Sequence, residues 1–473
     1  MSSISVVKNG TSSIHIAMFP WLPFGHVNPF IQLSNQLAAN GYTISFLTTR
    51  DNLPKIEPHN HFPDQIHIVP LDVKPPPPFP AMGQPPPSSA GAPPPADSNS
   101  PGLALLQLIL ATDSLEDEVE SQLALIKPDI IIYEFAHYIP AIANRLGIKS
   151  AFYCVTSATA VAYHLVPACQ PKSVDDLTHP PPGHPPSKIS LQHFEAQQFM
   201  LAFARFGGGL TFHERITTAM SGSDLIIMKT SKEMESKYCN YIKEQYKKPL
   251  VLAGLSLPEP ETDDLEDRWE SWLGQFAPES VLYVSFGSQD VLSKEQITEL
   301  VLGLEESGVP FMAVLKFPGD APQEEILPEG FTERVKGRGL IHSGWVRQQL
   351  LLSHKSVGGY LSHSGFGSLA EAMSSNCQLV LLPMKGDQFL NARLMSRDLK
   401  IGVEVPRDPV DGKFTREDVC KAVKSLMVEV DGEVGKEIRG NHAKLRDMLL
   451  DKETQSGYLE QVLEELEKLA KGV

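Results

Sequence analysis

The sequence predicts an α/β protein made of two domains, each a mainly parallel sheet flanked by helices. Three observations carry this expectation. The chain opens as strand, helix, strand; a second series of strands alternating with helices begins at Val281; and between them the composition turns acidic and proline-rich, from Leu257-Pro258-Glu259-Pro260 through Asp267. A crossover between parallel strands requires a helix, so alternation of this kind implies parallel sheets. The 473 residues fit the same reading, since roughly 150 residues per domain gives about two to three domains.

The elements follow in order. Ile14 to Phe19 is a short apolar strand and Trp21 to Val27 a loop. Asn28-Pro29, followed by Phe30, Leu33 and Leu37 and stopped at Asn40-Gly41, reads as N-cap, first-turn proline, amphipathic helix and glycine stop. Tyr42 to Thr48, Asp129 to Tyr133 and Ala151 to Val155 are further strands, the last two separated by a helix over Ala136 to Leu146. The second half offers strands at Val281 to Phe286, Phe311 to Leu315, Val357 to Ser362 and Gln378 to Leu382, with a helix from about Ser368. From Tyr458 to Lys468, the residues Leu459, Val462, Leu463, Leu466 and Leu469 share one face of a closing helix. Pro75 to Pro101 holds 12 prolines in 27 residues and cannot join a sheet. That run and the smaller cluster Pro180 to Pro186 are expected to be solvated loops, or lids flanking a cleft. Two such domains place a ligand cleft between the carboxyl edges of their sheets.

Composition narrows the function. The 41 Lys and Arg against 57 Asp and Glu give a net charge of −16, which repels polyphosphate and disfavours nonspecific nucleic-acid binding. No apolar run approaches the roughly 20 residues of a membrane span, and Met1 to Gly10 lack the pattern of a signal peptide. The expectation is a cytoplasmic protein, with a monomer as the default. Five cysteines, Cys154, Cys169, Cys239, Cys377 and Cys420, lack paired spacing and read as reduced thiols. No His/Cys cluster has ligand spacing and no Asp-x-Asp occurs, so no metal is expected.

Two places carry chemistry. His26 follows the first strand directly and precedes the expected N-cap, where a helix N-terminus disfavours imidazolium and leaves a neutral base. Later, a strand ends at His363, followed by Gly365-Phe366-Gly367-Ser368 and a helix containing Glu371. Glycines and a helix N-terminus let main-chain N–H groups close on a phosphate without Lys or Arg. Gly365-x-Gly367-x-x-Ala370 also mimics a dinucleotide fingerprint, with Asp387 22 residues beyond Gly365. A dehydrogenase fits poorly, because that fingerprint opens the first βαβ unit of its domain and here at least two strands precede it.

Trp345 to Gln388 reads WVRQQLLLSHKSVGGYLSHSGFGSLAEAMSSNCQLVLLPMKGDQ, 44 residues from a Trp-x-x-Gln opening to an Asp-Gln close. It resembles the signature box of plant family 1 UDP-dependent glycosyltransferases, as do FPWLPFGHVNPFIQLSNQLAANGYTISFLTT, VLYVSFGS and the closing helix. The resemblance covers essentially the whole chain. It implies a GT-B fold, two Rossmann-like α/β/α domains facing across a cleft. Residues 1–256 with the returning helix 456–473 would bind the acceptor, and 257–455 the UDP-sugar.

Carried over by position, the resemblance makes His26 the base that deprotonates the acceptor hydroxyl for inverting, metal-independent transfer, with UDP leaving. Trp345 stacks on uracil, Val346 and Gln348 contact the base and its surroundings, and Glu371 takes the ribose hydroxyls. Gly25, Ser288, His363, Gly365, Gly367 and Ser368 surround the diphosphate sugar, and Asp387 and Gln388 hold the sugar hydroxyls. The carboxylate that orients the histidine is usually Asp; here it is Glu134, whose extra methylene must be absorbed by geometry. The usual HCGWNS is His363-Ser-Gly-Phe-Gly-Ser368, so Phe366 lacks an indole donor and Gly367 an amide. This GFGS form is similar to the branch-forming subgroup, which adds a sugar to the sugar of a flavonoid-type or anthocyanin-type glycoside. Gln388 favours glucose as donor, whereas Phe366 suits a deoxy or pentose sugar, leaving glucose, rhamnose and xylose open. The alternative acceptor is the hydroxyl of an aglycone, and the reading outside enzymology is a noncatalytic UDP-sugar-binding protein.

Overall fold

The computed structural model describes residues 14–73, 101–205, 209–255, 264–287 and 290–472. Ser288, residues 256–263 of the expected domain boundary, and the proline-rich run up to residue 100 lie outside the described residues.

The first sheet has seven strands: β1 (His15–Phe19), β2 (Thr43–Thr49), β3 (Ile66–Leu71), β4 (Ile130–Tyr133), β5 (Lys149–Cys154), β6 (Leu225–Met228) and β7 (Leu250–Leu252). Their order is β3-β2-β1-β4-β5-β6-β7. The second has six: β8 (Val281–Ser285), β9 (Phe311–Val314), β10 (Gly339–His342), β11 (Val357–Ser362), β12 (Gln378–Leu381) and β13 (Gly402–Glu404), in the order β10-β9-β8-β11-β12-β13. Neighbouring strands pair in parallel in both sheets. Central strands such as Ile130-Ile131-Ile132-Tyr133 are buried along their whole length, because helices cover both faces. Pro70 lies in β3, at the edge of its sheet, where a missing ladder donor is tolerated.

In each sheet the strand order reverses once, between β1 and β4 and between β8 and β11. Adjacent helices leave on opposite faces there, which opens a crevice at the carboxyl ends of the strands.

Three expectations are corrected. The first helix is Phe24–Ala39 and begins ahead of Asn28: Pro23 is extended, and its carbonyl accepts the N–H groups of His26 and Val27 at 2.8 and 3.2 Å. Pro29 is therefore inside the helix, where it lacks the N–H that would have met the Gly25 carbonyl. The helix expected from Ser368 begins at Phe366, and the one expected from Ala136 begins at Ile139, after a turn in which Phe135 has φ 61°. The second proline cluster is largely exposed, as expected of a solvated loop, with Pro180, Pro182, Gly183 and Pro186 at the surface, and it is tethered at a few points. Tyr241 donates to the Pro182 carbonyl at 2.7 Å, Lys237 donates to that of Pro186 at 3.1 Å, and His184 touches the rings of Tyr163, Tyr238 and Tyr241.

The last helix, Lys452–Lys471, is capped by the Asp451 carboxylate, which accepts the Thr454 N–H at 2.8 Å. It returns to the first domain, where Val462 and Leu466 enter that core and the Tyr458 hydroxyl donates to Glu233 at 2.6 Å.

Candidate active site

Both crevices carry the residues with chemistry. β1 and β4 pair with Phe19 opposite Tyr133, so the segments leaving them emerge side by side. His26, in the first turn of the helix after β1, and Glu134, directly after β4, meet with Nδ1 and Oε2 2.7 Å apart. Directly behind Glu134 the chain turns tightly, the Ala136 N–H reaching the Glu134 carbonyl at 2.6 Å. The other carboxylate oxygen accepts the Val155 N–H at 3.4 Å. Trp21 sets its ring edge-on to His26 (4.8 Å, 76°) and stacks on Phe135 (4.6 Å, 22°), which fixes the imidazole plane.

Burial opposes the His26 imidazolium, but the charge and hydrogen bond of Glu134, helped by Asp387, outweigh it and raise the pKa above its ordinary value. The adjacent carboxylate, rather than the helix N-terminus, thus sets the direction of the His26 shift. A proton on Nδ1 shared with Glu134 leaves Nε2 as the acceptor for a substrate proton.

The field of Asp387 at His26 joins the two domains. Asp387 precedes the helix Gln388–Arg393, and burial raises its pKa, while the Asn391 hydrogen bond and His26 pull it down. The Asn391 amide donates to Asp387 Oδ2 and to the Ser364 carbonyl, both at 3.0 Å, and its oxygen accepts the hydroxyl of Ser157, from the first domain, at 2.5 Å.

At the second crevice, His363, Gly365, Gly367 and Ser368 follow β11. Gly367 and Ser368 stand in the first turn of the helix Phe366–Met373, and a Cβ on Gly367 would enter open space. Main-chain N–H groups of a first turn have no partner within the helix, so this turn suits an anion. His363 is buried with its pKa lowered, chiefly by burial, with Asp290 raising it and Lys385 lowering it; its Nδ1 has no hydrogen-bond partner among the described residues. A neutral imidazole and a row of amides fit the diphosphate of a nucleotide sugar.

Gln348 Nε2 donates to Glu371 Oε2 at 2.6 Å, and its oxygen accepts from Tyr283 and Tyr360 at 3.4 Å each, so Gln348 aims the Glu371 carboxylate. Val346 is buried, whereas Trp345 is 77% exposed and presents an indole face at the carboxyl edge of the sheet. Gly25 is exposed in the turn that carries His26. Gln388 is buried; its oxygen accepts the N–H groups of Met384 (2.8 Å) and Lys385 (3.1 Å), and its nitrogen donates to Asp290 (2.7 Å).

Sequence reasoning missed Asp290, Asn391, Ser157 and Lys229. Lys229, buried after β6, has its pKa pushed down to about 8 by burial, with Glu371 of the other domain pulling it back. Asp290 stands two residues beyond Ser288 and could have been singled out for that adjacency. The others reach the site only through the fold. Among the described residues no helix is long and apolar enough to cross a membrane, and no group of three His, Cys, Asp or Glu residues could hold a metal ion.

The model of the UDP-glucoronosyl and UDP-glucosyl transferase family matches residues 226–437. Similar proteins along the whole length include the cyanidin 3-O-galactoside 2''-O-xylosyltransferase of Actinidia chinensis var. chinensis, 43% identical over 97% of this chain and 99% of that one. The anthocyanidin-3-O-glucoside rhamnosyltransferase of Petunia hybrida is 40% identical over 98% of each chain. The anthocyanidin 3-O-glucoside 2''-O-glucosyltransferase of Ipomoea nil is 41% identical over 97% and 98%. Among solved structures, Phytolacca americana UGT2 complexed with UDP-2fluoro-glucose and pterostilbene superposes with a TM-score of 0.74 at 23% identity, covering 97% of this chain and 100% of that one, which shows the GT-B fold.

Proposed function

The chain belongs to the UDP-glucoronosyl and UDP-glucosyl transferase family, and on that premise we propose that it extends the sugar of a plant flavonoid-type or anthocyanin-type glycoside, using a UDP-sugar as donor. Relatives that transfer xylose, rhamnose or glucose onto anthocyanidin or cyanidin glycosides support this acceptor class.

The observation that carries the reading is the 2.7 Å pair of His26 and Glu134 in the first domain, with Asp387 of the second domain facing it. A transferred sugar belongs between these groups. His26 Nε2 takes the proton of the acceptor hydroxyl as its oxygen attacks the anomeric carbon; the bond from that carbon to the UDP oxygen breaks, its electrons leave with UDP, and the configuration inverts. Glu134 positions the imidazole and stabilises the imidazolium that forms. Trp345 stacks on uracil, Val346 backs it, and Glu371, aimed by Gln348, takes the ribose hydroxyls. His363, Gly365, Gly367, Ser368 and Gly25 line the diphosphate and sugar path, and Ser288 is assigned to it by sequence. The diphosphate charge falls to main-chain N–H groups and a helix N-terminus rather than to a metal. A cytosolic location is part of the reading, which five free cysteines fit, and a monomer is its default.

The test is incubation with UDP-glucose, UDP-rhamnose and UDP-xylose, each against a flavonol and its 3-O-glucoside, with products weighed by mass spectrometry. A mass gain on the glucoside that His26→Ala abolishes is the expected result. Gain on the aglycone alone would replace the acceptor assignment.

A further inference from the structure

We infer that Lys229 is the acceptor domain's own contact to the donor: its ammonium, buried without an ion-pair partner among the described residues, takes an oxygen of the UDP-sugar diphosphate. The inference rests on the proposed function and adds a residue to its donor site.

The fold fixes where Lys229 stands. It is the first residue beyond the carboxyl end of β6, and its N–H donates to the Cys154 carbonyl, at the end of β5, at 2.9 Å. The residues that follow are pinned as well. The Thr230 hydroxyl donates to Glu235 Oε2 at 2.6 Å, and the Lys232 N–H to the Tyr458 hydroxyl at 2.8 Å. Lys229 itself is 4% exposed. The carboxylates close to it in sequence are engaged elsewhere: Glu235 accepts from Thr230, from Thr159 and from the Ala158 N–H, and Glu233 accepts the Tyr458 hydroxyl. Among the described residues the Lys229 ammonium has neither a hydrogen-bond nor an ion-pair partner. A buried charge without a partner is costly. Burial pushes this one's pKa down to about 8, and the charge that pulls it back is Glu371, in the other domain. An anion that arrives with a ligand answers both facts.

Glu371 also says which anion. It lies three residues beyond Ser368 in the helix Phe366–Met373, and residues so spaced are neighbours on one helix face, with Cβ atoms about 5–6 Å apart. Gln348 Nε2 spans the two, 2.6 Å from Glu371 Oε2 and 3.5 Å from Ser368 Oγ. An ammonium that acts on Glu371 therefore stands about one turn from the main-chain N–H groups assigned to the diphosphate. Those groups and the helix N-terminus carry partial charges, whereas a lysine brings a full one on a flexible stem with three donors. Lys385, on the donor side, is spent on Asp290 at 2.6 Å. The pull between Lys229 and Glu371 does not close into an ion pair, so the ribose held by Glu371 can enter with its phosphates turned to Lys229. A donor held in this way touches both domains before any acceptor binds.

The experiment is calorimetric titration of the full chain with UDP, and with uridine by competition against UDP, for wild type, Lys229→Met and Lys229→Arg. Methionine keeps the length of the stem and removes the charge. Lys229→Met is expected to weaken UDP about ten- to hundredfold, the range of a hydrogen bond to a charged group, and to leave uridine, which has no phosphate, within about twofold. Lys229→Arg is expected to recover most of the UDP affinity. Unchanged UDP binding in the methionine variant overturns the inference. Equal losses for UDP and uridine overturn it too, and would place Lys229 at the ribose or in the packing of the seam. Should the methionine variant fail to fold, Lys229→Gln, with a polar but uncharged tip, is read by the same ratio of UDP to uridine affinity. Binding is read without acceptor or turnover, so a failure to glycosylate glycosides would defeat the proposed function separately from this contact.

Discussion

His26 and Glu134 lie 108 residues apart in the chain, yet Nδ1 and Oε2 are 2.7 Å apart, because β1 and β4 are neighbours and both residues leave the carboxyl edge of the same crevice. The pair sets the pH dependence. Glu134 and Asp387 raise the His26 pKa against burial, and only the neutral imidazole accepts a proton. The rate should therefore climb with pH until past a value above 6.5, the ordinary histidine pKa. In Glu134→Gln the charge is lost, the acid limb should move to lower pH, and kcat should fall, within the range of about 10²–10⁴ that positioned bases contribute. An acid limb that stays in place in the glutamine variant would show that Glu134 does not set the pKa.

Trp345 separates binding from stability. At 77% exposure its indole contributes little to the core, whereas stacking of a base on an aromatic ring is worth about 1–3 kcal/mol. Trp345→Ala should weaken UDP binding about ten- to hundredfold, with thermal denaturation unchanged. A comparable loss of thermal stability would assign the ring a packing role instead.

What was legible in the sequence follows physical lines. β11 appears over Val357–Ser362 as expected, because it is a fully buried run bounded by polar turns. β3, β10 and β13 are partly buried, and the edge strands β7 and β13 have three residues each, so no long apolar run marks them. For the first helix the sequence signal points to a later start, because proline favours a first turn, while the extended Pro23 ahead of Phe24 provides the real one. The nucleotide side of the site was readable because its residues lie in one continuous box. His26 was visible from its place after a strand, but its carboxylate only through the family likeness. Contacts such as Ser157 with Asn391, 234 residues apart, have no periodic signature.

The Ser157, Asn391 and Asp387 series predicts a donor effect that crosses the domains. Ser157 caps the helix Ala158–His164 by accepting the Ala160 N–H at 3.2 Å while it donates to Asn391. Asn391→Asp replaces the amide donor with a second carboxylate beside Asp387. The KM for the UDP-sugar should rise at least tenfold, a loss of about 1–3 kcal/mol, while the Kd of UDP, whose contacts lie elsewhere, stays within about twofold. Equal losses in both constants would deny Asn391 a role specific to the sugar.

Arg393 predicts how the domains hold together. It is 3% exposed and lies 2.5 Å from Glu195 of the first domain and 2.6 Å from Glu404 of the second. In Arg393→Met, Glu404 keeps Arg397 at 3.3 Å and the Ser396 hydroxyl at 2.5 Å. Glu195 keeps the Gln192 N–H at 2.8 Å and the more distant field of Arg407, but loses its direct ion pair and becomes the undercompensated charge. Such a group costs about 3–5 kcal/mol. Burial already raises the Glu195 pKa against the pull of Arg393, and loss of the arginine raises it further. A carboxyl with a raised folded pKa destabilises as pH climbs from its unfolded value through the folded one. The deficit of Arg393→Met in denaturant titrations should therefore be smaller at pH 5 than at pH 7.5, and Glu195→Gln in the same chain should recover most of it. An equal deficit at both pH values with no recovery in the double variant would place the loss in packing rather than in the uncompensated charge.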